Sequence, residues 1–261
     1  MRAYLSIFRV HFISTIQYRL AAFAGILTQF AWGSMLVLMF SAFYKSNPVA
    51  FPMGLDSVTD YIWLQQALLN LFALWIFDNQ IFQSVTDGQV AYELIRPLDL
   101  YNNWFAKNLA MRLARTILRC FPTLLIALLL PAPYGLSISS HFPLFFVTLI
   151  LSMFLVIAFV MLIYIANFYL LSPTGIRMLV MTIGEFLTGA IIPLPFLPNS
   201  LQKGIELTPF GAMQNIPLRV YSGDLSSWTV VLPQLFWLIA LISLGQWMIN
   251  HALKRVVIQG G

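Results

Sequence analysis

The densest polar chemistry in the chain lies in TDGQVAYELIRPLDLYNNW, residues 86–104, where Asp87, Glu93, Arg96 and Asp99 stand just before Lys107. Gln89, Glu93 and Arg96 follow one another at steps of four and three. One short helix would present them on one face and Val90, Leu94 and Ile95 on another. A face of this kind makes charge-assisted contacts to another protein; a solvated loop is the plainer alternative. Pro97 cannot continue that helix, and Asp99 is placed to cap the next one. A second candidate is Glu185, in the apolar segment TIGEFLTGA. A charged carboxylate at mid-membrane costs about 2.5–3.5 kcal/mol on insertion scales, so Glu185 must face protein or a wet cavity, or be protonated. It is either a polar element of a translocation path or a structural acid bonded across a helix interface. Asn70 is a further path candidate, although interhelical hydrogen bonding also explains it together with Gln65 and Gln66. Asp78 reads as an acid at headgroup depth.

Covalent chemistry finds no support in the sequence. The phosphate loop GxxxxGK[ST], the zinc pair HExxH and the GxSxG elbow do not occur. His11, His141 and His251 are far apart, so no metal or haem ligand set is expected, and Cys120 is the lone cysteine. The formal net charge is +5. Its basic residues flank apolar runs, a pattern of membrane orientation rather than nucleic-acid binding. The chain is expected to have no catalytic site and no cofactor of its own.

The elements that position these residues are read from hydropathy. Of the 261 residues, 60% are hydrophobic and 9% charged, far below the roughly 25% charged of a soluble domain. The reading is an all-α polytopic membrane protein with one transmembrane domain over 1–261. Six spans are predicted, at 20–44, 61–82, 110–130, 143–171, 176–194 and 228–249. No cleavable signal is expected ahead of the first. With the N-terminus inside, Arg2, Arg9, Arg19, Arg96, Lys107, Arg112, Arg115, Arg119, Arg177, Lys254 and Arg255 fall on the inner side. Only Lys45, Lys203 and Arg219 fall outside. This asymmetry predicts cytoplasmic termini.

Residues 1–19 place Met1, Tyr4, Leu5, Phe8, Phe12 and Ile16 at helical steps away from Arg2, Ser6 and Arg9, which predicts an amphipathic helix on the inner leaflet. The inner loop NFYLLSPTGIR, 167–177, offers a second, smaller contact. Beyond the fifth span, Pro193, Pro195, Pro198, Pro209 and Pro217 cut an apolar segment into pieces too short to cross. Short helices dipping into the outer leaflet are expected there, with their irregular backbone covered by protein.

The six-span layout, the amphipathic N-terminus, the inner DGQVAYELIRPLDLYNNW and the outer IPLPFLPNSLQKGIELTPFGAMQNIP together resemble an ABC-2 type transporter permease, the membrane subunit of an ABC exporter. The resemblance implies a permease in the plasma (inner) membrane. It would pair with a second permease, identical or related, and with two ABC ATP-binding subunits that bind ATP and Mg. It also implies that Gln89, Glu93, Arg96, Pro97 and Asp99 form the face receiving the ATPase motion. Glu185 and Asn70 would border the path of a hydrophobic or amphipathic substrate. An ion-driven secondary transporter and a non-transporting structural subunit remain the alternatives.

Overall fold

In hydrocarbon the backbone must satisfy itself, which for an apolar chain without closed sheets means helices. Every regular element among the described residues is indeed helical. The computed structural model describes residues 2–17, 19–46, 51–170 and 172–254, and over 19–21 the backbone alone. Met1 of the amphipathic pattern and Arg255 of the basic set lie outside the described residues.

The first element, α1 (Arg2–Ile16), is followed by α2 (Arg19–Ser46), α3 (Leu55–Ala67) and the single turn α4 (Leu69–Phe72). Two short helices, α5 (Asn79–Thr86) and α6 (Val90–Leu94), lead into α7 (Leu100–Leu129) and α8 (Phe142–Ala166). Next come α9 (Thr174–Leu179), a π turn at Val180–Gly184 and α10 (Glu185–Leu187). The chain ends through α11 (Asn199–Glu206), α12 (Ile216–Tyr221) and α13 (Val231–Leu253). Three helical stretches, Ala22–Ser46, Phe142–Tyr169 and Trp228–Leu253, are long and apolar enough to cross a membrane. The 30 residues of α7 match them in length, about 45 Å at 1.5 Å per residue, but its first two thirds carry Lys107, Arg112, Arg115 and Arg119.

Two predicted spans are not continuous helices. The second, 61–82, runs as α3 and α4, leaves helical geometry at Ala73 and resumes only at Asn79. The fifth, 176–194, is helical only as far as Leu187 and turns at Gly189, whose φ of 80° ends it. Its helical part, from Thr174, is about 20 Å long.

The α1 helix packs along α7, with the Tyr4 hydroxyl accepting a hydrogen bond from the Asp99 amide at 3.0 Å. Tyr4, Ile7, Phe8, His11, Phe12 and Thr15 form the partly covered stripe, at steps of three and four. Leu5, expected on that face, is 68% exposed instead, because the stripe follows α7 rather than a flat surface.

The segment after α10 dips into the bundle. Gly211–Asn215 is fully buried, and its backbone departs from helical geometry at Met213. The Ser152 hydroxyl donates to the Met213 carbonyl at 2.7 Å, and the Gln234 amide lies 3.1 Å from the Ala212 carbonyl and 2.8 Å from Ser152 Oγ. Side chains of α8 and α13 thus supply what an irregular backbone lacks in an apolar interior. Gln234→Leu removes that donor, and the purified chain should unfold at lower temperature in detergent, by a loss of about 1–3 kcal/mol for an orphaned buried carbonyl. An unshifted melting curve would contradict this role.

Candidate functional site

The gap between α4 and α5 leaves carbonyls without helical partners, and one side chain collects them. Arg112, on α7, is completely buried. Its Nη1 donates to the carbonyls of Leu71 and Ala73 at 3.0 Å each and lies 3.5 Å from that of Asn70. Its Nη2 donates to the Ile76 carbonyl at 2.8 Å, and Nε to Asn108 Oδ1 at 2.9 Å. A planar guanidinium suits this task because its donors diverge in one plane and it stays charged. The charge also sits at the carbonyl end of a helix, where the backbone dipole favours a cation. Arg112 is therefore not one of the surface orientation charges with which its sequence position grouped it.

The amide side of the same break has its own partners. Glu185 Oε1 accepts from the Leu74 amide at 3.2 Å, and the Tyr164 hydroxyl accepts from the Asp78 amide at 2.7 Å and from Asn108 Nδ2 at 2.9 Å. Close approach is needed for the first contact. A Cβ on Gly184 would stand 2.6 Å from Leu74 Cδ1, so any larger residue there would have to push the Leu74 side chain aside. Asn70 and Glu185 thus both border the break, Asn70 by its carbonyl near Arg112 and Glu185 by the Leu74 amide; Asn70 is buried, and its Nδ2 has no partner among the described residues. Gln65 bonds the Ala190 carbonyl, fixing the chain just past α10 against α3.

Below the break, α5 and α6 form a hairpin about Gly88, whose φ is 72°. Asp78 has a local structural task, since its Oδ1 caps α5 by accepting from the Gln80 amide at 2.9 Å. Glu93 does not point outward. Its carboxylate accepts from Asn103 Nδ2 at 2.9 Å, Trp104 Nε1 at 3.0 Å and Lys107 Nζ at 3.0 Å, fastening α6 to the first turns of α7. Asp99 caps α7, its Oδ1 accepting from the Asn102 amide at 2.8 Å. Gln89, Arg96, Pro97 and Asp99 are exposed.

The expected apolar face of α6 is split. Val90 is buried and Leu94 partly so, but Ile95 is 80% exposed and Tyr92 72%. Ile95 keeps helical φ and ψ of −67° and −24°, and five residues after Val90 it falls off the buried face of the helix, which ends at Leu94. A groove of about 360 Å³ runs beside the hairpin, lined by Asp78, Gln83, Asp87, Gln89, Glu93 and Lys107. Arg177, on α9, braces the hairpin by stacking on Phe77 and Phe82, 5.1 and 4.9 Å from their ring centres.

Residues 30–260 match the family described as ABC-2 family transporter protein. The chain belongs to the ABC-2 transporter family. No curated protein matches it. As an ABC-2 permease it is the membrane subunit of an ABC transporter, a family that associates with ABC ATP-binding subunits.

Sequence reasoning singled out the hairpin of this permease and Glu185, but it missed Arg112, Tyr164, Tyr92 and Ile95. Standing in a basic series with Lys107, Arg115 and Arg119 on α7, Arg112 carried no signal that set it apart from them. Replacing Arg112 with Leu orphans the carbonyls of the break, and stability should fall by about 3–5 kcal/mol, as when one partner of a buried charged network is removed. Lys at that position should recover only part of the loss. Thermal unfolding of the two variants in matched detergent checks this, and equal stability of Arg112→Leu and the parent would refute the assignment.

Proposed function

We propose that this ABC-2 permease exports a hydrophobic or amphipathic substrate from the plasma membrane, driven by two ATP-binding subunits that hold ATP and Mg. A second permease, identical or related, completes the gate. In this reading the chain crosses six times. The α3–α5 stretch and the stretch from α9 into the buried outer segment count as crossings despite their breaks, and both termini are cytoplasmic.

The observation that carries the reading is the hairpin of α5 and α6. It offers exposed Gln89, Arg96, Pro97 and Asp99 next to two large exposed side chains, Tyr92 and Ile95. Aromatic and aliphatic anchors within a polar rim are the usual make-up of a protein contact. Glu93 serves the same face from behind, because its bonds to α7 stop the hairpin from yielding when pushed. ATP-driven closure of the partners would displace α5 and α6 as one body, and Asp78 would pass that motion to the break. Energy couples to transport only through contacts that differ between the two conformations. The bonds of Glu185 and Arg112 to the break are contacts of that kind. Opening of the break would bring Glu185 and Asn70 to the path between paired bundles.

Arg96→Glu is the cleaner test of docking, since Arg96 is exposed and makes no ion pair among the described residues. The variant should insert and fold like the parent but lose most substrate-stimulated ATPase activity of the reconstituted complex. Charge reversal at Glu93 should lower coupling too, together with some stability. Unaltered coupling in both variants would remove the assignment. Glu185→Gln keeps an acceptor for the Leu74 amide, so assembly should survive while substrate stimulation changes. Loss of folding with unchanged substrate response would make Glu185 purely structural.

A further inference from the structure

Beside α1 lies a cavity of about 680 Å³ that the docking and path residues do not account for. Its walls come from four helices. His11 and Thr15 come from α1, with Gln17 just after it, Asp78 and Gln80 from the cap and first turn of α5, and Arg115 and Arg119 from α7, while Ala22 of α2 completes the wall. Two arginines and one acid thus line it, and Asp78 already spends an oxygen on the α5 amide of Gln80. Arg115 is only partly exposed and makes no hydrogen bond or ion pair among the described residues. Arg119 is held against α2. A Cβ on Gly25 would fall 2.3 Å from its Cζ, so the glycine leaves the guanidinium its seat at the wall of the cavity. His11 adds no net charge at neutral pH, because burial and then the nearby Lys107 ammonium hold its pKa below the ordinary histidine value.

We propose that this cavity binds the phosphate headgroup of an anionic phospholipid, drawn from the leaflet on which α1 rests. Guanidinium groups recognise phosphate oxygens through paired N–H donors, and Gln17 and Gln80 add neutral donors at the rim. The wall is only part polar. Met111, Leu118 and Ala22 add apolar wall against which acyl carbon can pack, which a soluble phosphate has no use for. The site has a mechanical consequence as well. Asp78 and Gln80 line both this cavity and the groove beside the α5–α6 hairpin, so a bound headgroup braces the helix on which docking acts.

Native mass spectrometry of the full chain, released from detergent, tests the site with three probes: phosphatidylglycerol, phosphatidylcholine of the same acyl chains, and inorganic phosphate. The parent should retain phosphatidylglycerol selectively. Arg115→Gln should weaken that binding about fivefold or more, the scale of one basic side chain at an anionic surface, while Arg115→Lys restores much of it. Melting temperatures without lipid distinguish lost binding from lost folding, and the Lys variant keeps the test open if Gln misfolds. Equal retention of phosphatidylcholine, or phosphatidylglycerol binding untouched in Arg115→Gln, would overturn the proposal. Displacement of phosphatidylglycerol by millimolar inorganic phosphate would assign the cavity to a soluble anion and overturn the lipid source.

Discussion

The fold turns on one guanidinium. An interruption between α4 and α5 exposes carbonyls and amides inside an apolar protein, where each unsatisfied group costs several kcal/mol. Arg112 answers the carbonyls of Leu71, Ala73 and Ile76, while Glu185 and Tyr164 answer the amides of Leu74 and Asp78. Burying an arginine is itself expensive. That cost is offset because its charge is spread over several acceptors at the carbonyl end of a helix and faces the acidic side chain of α10.

This arrangement gives a short hairpin its leverage. The α5 helix starts at Asp78, whose amide is held by Tyr164 and whose carboxylate caps the helix. Glu93 pins α6 to α7, and α7 is also the helix that carries Arg112. In the function proposed above, a push on the hairpin would reach the break by two routes, through the backbone at Asp78 and through α7.

Part of this was legible in the sequence. Apolar runs located α2, α8 and α13, the Pro97–Asp99 pair located the start of α7, and the proline series announced the buried outer segment. Glu185 stood out because a carboxylate in an apolar run needs a reason. The rest was hidden for a physical cause. The partners of Arg112 are backbone carbonyls about forty residues away, and carbonyls carry no residue signature. A helix break stabilised from outside leaves its own sequence looking like a continuous span, as residues 61–82 did. Glu93 was read as outward-facing because helical spacing fixes which residues share a face but not which way that face turns. Its three donors come from the next helix, after a proline turn whose angle spacing does not encode. Ile95 is exposed because five helical residues turn it about 140° away from the buried Val90, a separation that grouping them on one apolar face overlooked.

The central claim is that hairpin and break move as one unit under the ATP-binding subunits. Amide hydrogen exchange on the assembled transporter, with and without trapped nucleotide, reads it most directly. The account predicts that protection across residues 73–78 changes together with that across 79–95. A nucleotide response confined to the hairpin, with the amides of Leu74 and Asp78 unaltered, would contradict it.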